Sequence, residues 1–135
     1  MKRNSLLFVV AAAAVASMLT PGVAVASQDN ACYAKEACFW YGPWSGATGT
    51  GAVAGFSNGT GGSDLLPYFF GGSAAGAGTR VGNNSHSAKN SFSNELLHVH
   101  YLMDNKGAVD DFFPNQGRNL NSTLVNNNRS YQFQA

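Results

Sequence analysis

The sequence predicts an all-β domain, a sandwich or barrel of short strands. Three observations point there. Gly, Asn, Ser and Pro recur every few residues beyond position 26, a density that helices of ordinary length do not tolerate. Between these breaks lie about eight short apolar or aromatic runs at close spacing. The pattern N-N-x-x-S occurs at Asn83-Asn84-Ser85-His86-Ser87 and again, 43 residues later, at Asn126-Asn127-Asn128-Arg129-Ser130, which divides the domain into two related halves, 36–94 and 95–135.

The domain is preceded by a segment of a different kind. Lys2 and Arg3 are a positive start, 6–16 are a short apolar run, and Ala24-Val25-Ala26 is a small-x-small cleavage site after Pro21 and Gly22. Residues 1–26 therefore read as a cleaved secretory signal, since the apolar run is shorter than the roughly 20 residues a membrane span needs. Removing 26 of 135 residues leaves 109, enough for one domain, 27–135. Without Lys2 and Arg3, six basic residues face seven acidic ones, so bulk charge favours neither nucleic acid nor an anionic membrane. The nine Phe, five Tyr and two Trp rule out simple disorder. The expected state is a secreted, extracellular monomer.

In chain order the candidate strands are 38–41, 52–54, 66 with 68–70, 79–81, 97–102, 112–113, 120–125 and 131–133. Asn58-Gly59 and Asn105-Lys106-Gly107 are turn signals. Cys32 and Cys38 are the only cysteines, and an exported chain is expected to join them in a disulfide. A metal pair or a redox pair is the competing reading, weakened by the C-x5-C spacing and the lack of an adjacent His.

Candidate functional residues are few. There is no Gly-x-Ser-x-Gly and no H-E-x-x-H, and Asp110-Asp111 would face opposite sides of a strand, so no enzyme is expected. His98 and His100 share one strand face; they are either two surface histidines or two ligands of a metal site that needs a third. The run Leu65, Leu66, Pro67, Tyr68, Phe69, Phe70 is either a core strand or an exposed binding loop, with Phe56 as a further loop candidate. Sequons begin at Asn58, Asn83, Asn121 and Asn128 and read as chance in an Asn-rich chain.

A second echo lies upstream of each N-N-x-x-S copy. Trp40-Tyr41-Gly42-Pro43-Trp44-Ser45-Gly46 is an aromatic strand turning through an aromatic-x-Gly corner, and 100–107 follows the same outline with Asn105 in place of the aromatic. Together these resemble the half-domain signature of βγ-crystallin-type double Greek keys. The resemblance implies that Gly46 and Gly107 take a backbone conformation closed to other residues, that Trp40 and Trp44 form an aromatic plug, and that Ser87 and Ser130 tie each folded hairpin to a neighbouring strand. It also implies a calcium site at N/D-N/D-x-x-S/T-S loops. Here position six is Ala88 or Tyr131, and Asn83, Asn84, Asn126 and Asn127 bring no carboxylate, so calcium binding through Ser87 and Ser130 is expected to be weak or absent.

The blocks 32–46, 76–88 and 118–130 further resemble the actinobacterial peptidase-inhibitor family typified by the Streptomyces metalloproteinase inhibitor. That resemblance implies a non-catalytic extracellular inhibitor of thermolysin-like peptidases. For such an inhibitor the apolar, glycine-flanked run Leu65, Leu66, Tyr68, Phe69 and Phe70 is the first candidate for the inhibitory loop. The alternatives are a calcium- or wall-associated envelope protein and a killer-toxin-like secreted antimicrobial.

Overall fold

The computed structural model describes residues 28–57 and 62–135. The expected signal segment 1–26 and the turn at Asn58 and Gly59 lie outside the described residues.

Among the described residues the fold is all-β. Its strands are β1 Gln28–Asp29, β2 Ala37–Trp40, β3 Trp44–Ser45, β4 Thr48–Gly49, β5 Val53–Phe56, β6 Ser87–Asn90, β7 Leu96–Leu102, β8 Lys106–Phe112, β9 Gly117–Asn119 and β10 Ser130–Gln134. They form a five-stranded sheet in the order β1-β5-β2-β6-β9, a three-stranded sheet β10-β7-β8, and the small hairpin β3-β4, all antiparallel. The halves exchange edges. β9 belongs to the second half yet pairs with β6 of the first, matching Ser87 with Asn119. Gly62 of the first half bridges Tyr131 of β10, and the two residues exchange both backbone hydrogen bonds at 2.9 Å.

Alternation along the strands builds the core. Phe39, Ala54, Phe56 and Ala88 from the first sheet and Leu97, Val99, Phe112 and Tyr131 from the second are all fully buried in one cluster. Three rings form its centre: Phe39 and Phe56 lie 5.9 Å apart edge to face, and each lies 5.6 Å from Tyr131. Burial pushes the Tyr131 hydroxyl well above the usual phenol range. Where the halves join, the buried Asn90 side chain serves three backbone groups: it donates to the carbonyls of Glu95 (2.6 Å) and Phe112 (3.0 Å) and accepts the N–H of Phe92 (3.0 Å).

Three expected strands are corrected. Residues 120–125 form a helical turn, because the Asn121 side chain accepts the N–H groups of Thr123 (3.1 Å) and Leu124 (3.0 Å) and the Asn121 carbonyl accepts that of Val125 (2.9 Å). Such local side-chain bonds offer the backbone an alternative to a ladder. Segments 66–70 and 79–81 form no regular strand: they are joined by the isolated bridge Phe69–Arg80 and by the bonds of Phe70 N–H to the Thr79 carbonyl (2.8 Å) and Val81 N–H to the Tyr68 carbonyl (2.9 Å). The short strands β1, β3, β4 and β9 carry too few residues to show a period of two in the sequence.

Candidate functional site

The two N-N-x-x-S loops lie side by side. Asn83 and Asn126, the first residue of each, have left-handed backbones, with φ of 64° and 57°. Asn tolerates that region better than most L-residues, which accounts for its presence there. At the third position, Ser85 and Asn128 are fully buried against each other. Asn128 accepts the Ser85 N–H (3.1 Å) and donates to the Ser85 hydroxyl (3.0 Å) and the Val81 carbonyl (3.2 Å). The Ser85 hydroxyl donates to the same Val81 carbonyl (2.9 Å). Both fall on positions the motif leaves free, so the motif does not announce this contact.

At the fifth position each serine bonds a hairpin of its own half. Ser87 donates to the Gly42 carbonyl (2.8 Å). Ser130 donates to the Leu102 carbonyl (2.5 Å) and accepts the Asn105 N–H (3.0 Å). At the sixth, Ala88 and Tyr131 point into the core. Trp40 is buried and meets Trp44 edge to face at 5.5 Å, and the Trp44 indole N–H donates to the Gly46 carbonyl (3.1 Å). Gly46 and Gly107 have φ of 63° and 78°, a region in which a side chain would be strained.

Beside the first loop is an open cleft of about 460 Å³, lined by Tyr41, Gly42, Pro43, Asn84, His86 and Asn126. Its lining side chains include no carboxylate. Asp110 and Asp111 do not reach the loops: Asp110 is held by the Arg118 guanidinium (2.8 and 3.0 Å) and the Asn121 N–H (2.7 Å), and Asp111 contacts His98. Both serine hydroxyls are committed to backbone groups, and the one charged member of the loops, Arg129, is paired with the Asp64 carboxylate.

The segment expected to form an inhibitory loop is largely built into the protein. Leu65 and Phe70 are fully buried core residues, as is Phe56, so none of the three is accessible to a partner. Leu66 is half-buried, and Tyr68 packs edge to face on Phe56 at 5.1 Å. The backbone is bonded at both ends: Leu65 N–H to the Arg129 carbonyl (2.8 Å) and Phe70 N–H to the Thr79 carbonyl (2.8 Å). Asp64 and Arg129 clamp the start, at 2.7 and 3.3 Å, and the guanidinium holds the Asp64 carboxyl below its ordinary value. Only Pro67 and Phe69 are exposed, and Arg80 covers the Phe69 ring at 5.0 Å.

Exposed apolar side chains occur elsewhere: Tyr33 and Phe113 stand singly, whereas Tyr101, Leu102 and Met103, each more than 40% exposed, follow one another at the end of the β7–β8 hairpin. The hairpin end is braced. Asp104 and Asn105 take successive left-handed conformations, and the Asp104 N–H donates to the Ser63 carbonyl (2.8 Å). With the Ser130 bonds, three residues at the tip, Leu102, Asp104 and Asn105, are tied to the body. The run of three large apolar residues before Asp104-Asn105-Lys106-Gly107 was visible in the sequence, but its first two members read as the end of a half-buried strand.

Cys32 and Cys38 are joined in a disulfide, with Cα atoms 5.6 Å apart. Both sulfurs lie near the carboxyl of Glu36, but sulfurs bonded to each other are not thiolates, so this trio cannot hold a metal as it stands. Glu36 is buried and accepts the Tyr33 N–H (2.6 Å). Burial raises its pKa, and the neighbouring Asp29 adds to the effect. No family model, curated protein or solved structure matches the chain.

Proposed function

We propose that this chain is a secreted, non-catalytic βγ-crystallin-like double Greek key that blocks an extracellular peptidase of the thermolysin class. The signal features of residues 1–26 and the disulfide support export. The exchanged sheet edges, the paired loops and the two serine ties support the double Greek key. Inhibition rests on the resemblance in blocks 32–46, 76–88 and 118–130, and the observation that carries it into the structure is the braced, exposed hairpin end at Tyr101, Leu102 and Met103.

An occluding element binds well when its shape is set in advance, because ordering a loose loop on contact lowers affinity. The hairpin end meets that requirement and offers bulky apolar side chains, which a thermolysin-like specificity pocket accepts. It takes the place of the buried Leu65 and Phe70 as the inhibitory contact.

Steady-state assays of several secreted metallopeptidases with micromolar protein test the reading. Reversible inhibition is expected, weakened by Leu102→Ala and Met103→Ala with little change in melting temperature. If no metallopeptidase is slowed, the inhibitor reading fails. If inhibition survives both substitutions but falls with Phe69→Ala, the contact lies at the 65–70 segment.

A further inference from the structure

Leu97 and Val99 of β7 point into the core, so His98 and His100 stand on the opposite face of the sheet. Their rings lie 6.4 Å apart, centroid to centroid. Asp111 is directly across from His98 on β8, with a carboxylate oxygen 2.6 Å from Nδ1. Gln134 on β10 places its side-chain oxygen 2.9 Å from Nε2 of the same ring. His100 is 7% exposed, and neither of its ring nitrogens has a hydrogen-bond partner.

That last fact is the unusual one. Leaving a buried polar group without a partner is costly, and an imidazole has two nitrogens to satisfy. An imidazole in its neutral form keeps one nitrogen lone pair free to bind an ion. At His98, donation of Nδ1–H to Asp111 makes Nε2 the acceptor, so the Gln134 amide bonds it through its N–H and must turn its oxygen inward to join an ion. A carboxylate behind a ligating histidine is the usual means of fixing its tautomer and orientation.

We propose that His98 and His100 form a binding site for a first-row divalent ion of the zinc or copper type, with Asp111 orienting His98 and Gln134 supplying an oxygen donor. Imidazole nitrogens suit such ions, whereas calcium prefers an all-oxygen shell. Two imidazoles sharing one zinc, each at a Zn–N distance of about 2.1 Å, place their centroids roughly 5 Å apart. One ring must therefore turn toward the other by a little over an ångström, and the Gln134 side chain must draw back to admit the ion. The site is separate from the N-N-x-x-S loops and from the hairpin end.

Calorimetric titration of the untagged protein with zinc tests the proposal. One ion per chain is expected. His98→Ala and His100→Ala should each weaken binding by roughly tenfold or more, Asp111→Asn should weaken it less, and His86→Ala should leave it unchanged. Absence of saturable binding up to millimolar zinc, or binding indifferent to His98→Ala, overturns the proposal. If an alanine variant does not fold, the unsubstituted protein still decides through the paramagnetic resonance spectrum of bound copper(II). Coupling to two imidazole nitrogens supports the site, and coupling to one or none overturns it.

Discussion

Asn83 and Asn126 share a left-handed backbone, and each donates its N–H to the third residue of the other's loop. Asn83 bonds the Asn128 carbonyl at 2.7 Å and Asn126 bonds the Ser85 carbonyl at 2.9 Å. The two halves are thus joined by a reciprocal pair of backbone hydrogen bonds, flanking the buried contact of Ser85 with Asn128. The repeat seen in the sequence is the trace of this local two-fold relation.

A residue that must hold positive φ has a narrow choice. Asn83→Ala and Asn126→Ala should each cost about 1 kcal/mol, whereas Asn83→Gly and Asn126→Gly should cost far less. Urea unfolding midpoints check this. Equal losses for Ala and Gly would mean that the side chains, and not the backbone, make these positions.

The serine ties differ in number of bonds, and their loss should differ accordingly. Ser87→Ala removes one donor and should cost about 1 kcal/mol; Ser130→Ala removes a donor and an acceptor and should cost about 2 kcal/mol. Because these hydroxyls are already engaged, millimolar calcium should move the melting temperature little. A saturable calcium shift abolished by either substitution would reverse the assignment.

Adjacent phenylalanines in the 65–70 segment should behave in opposite ways. Phe70→Ala empties a fully buried site and should cost about 3–5 kcal/mol. Phe69→Ala removes a half-exposed ring stacked with Arg80 and should cost under about 1 kcal/mol. Denaturation of the two variants side by side gives the comparison.

Glu36 should make the protein less stable as pH rises. Its folded pKa lies above the ordinary 4.5, so the protonated acid is favoured in the folded state. The associated stability is complete below the unfolded value and is lost as pH rises through the folded one. Glu36→Gln keeps an acceptor for the Tyr33 N–H without the charge. It should be more stable than the unsubstituted chain at pH 7, and the difference should close below about pH 4.5. A gap that persists at pH 3 would count against titration as the cause.

The strands that read clearly in the sequence are those with a continuous apolar or alternating pattern. Leu97 and Val99 against His98 and His100 announce β7, and Cys38, Phe39 and Trp40 announce β2. Leu120 to Val125 carries as many apolar residues, but Asn121 captures the backbone locally and no strand forms. Edge exchange between the halves, and the Ser85–Asn128 contact, depend on residues distant in the chain, and no local pattern encodes them. Segment 65–70 was ambiguous for a physical reason. Its composition suits a core and a binding surface equally, and only the bonds of Leu65 to Arg129 and Phe70 to Thr79 decide between them.

Because Gly117–Asn119 completes the sheet of the first half, that sheet has an open edge along β6 until residues 117–119 have been synthesised. Likewise β7 lacks β10 as its neighbour until residues 130–134 emerge. Pairings between such distant segments must overcome the entropy of closing long loops before they stabilise anything. The halves therefore cannot mature one after the other as independent modules. A chain cut between Ser91 and Glu95 should therefore give two fragments that fold together and not apart.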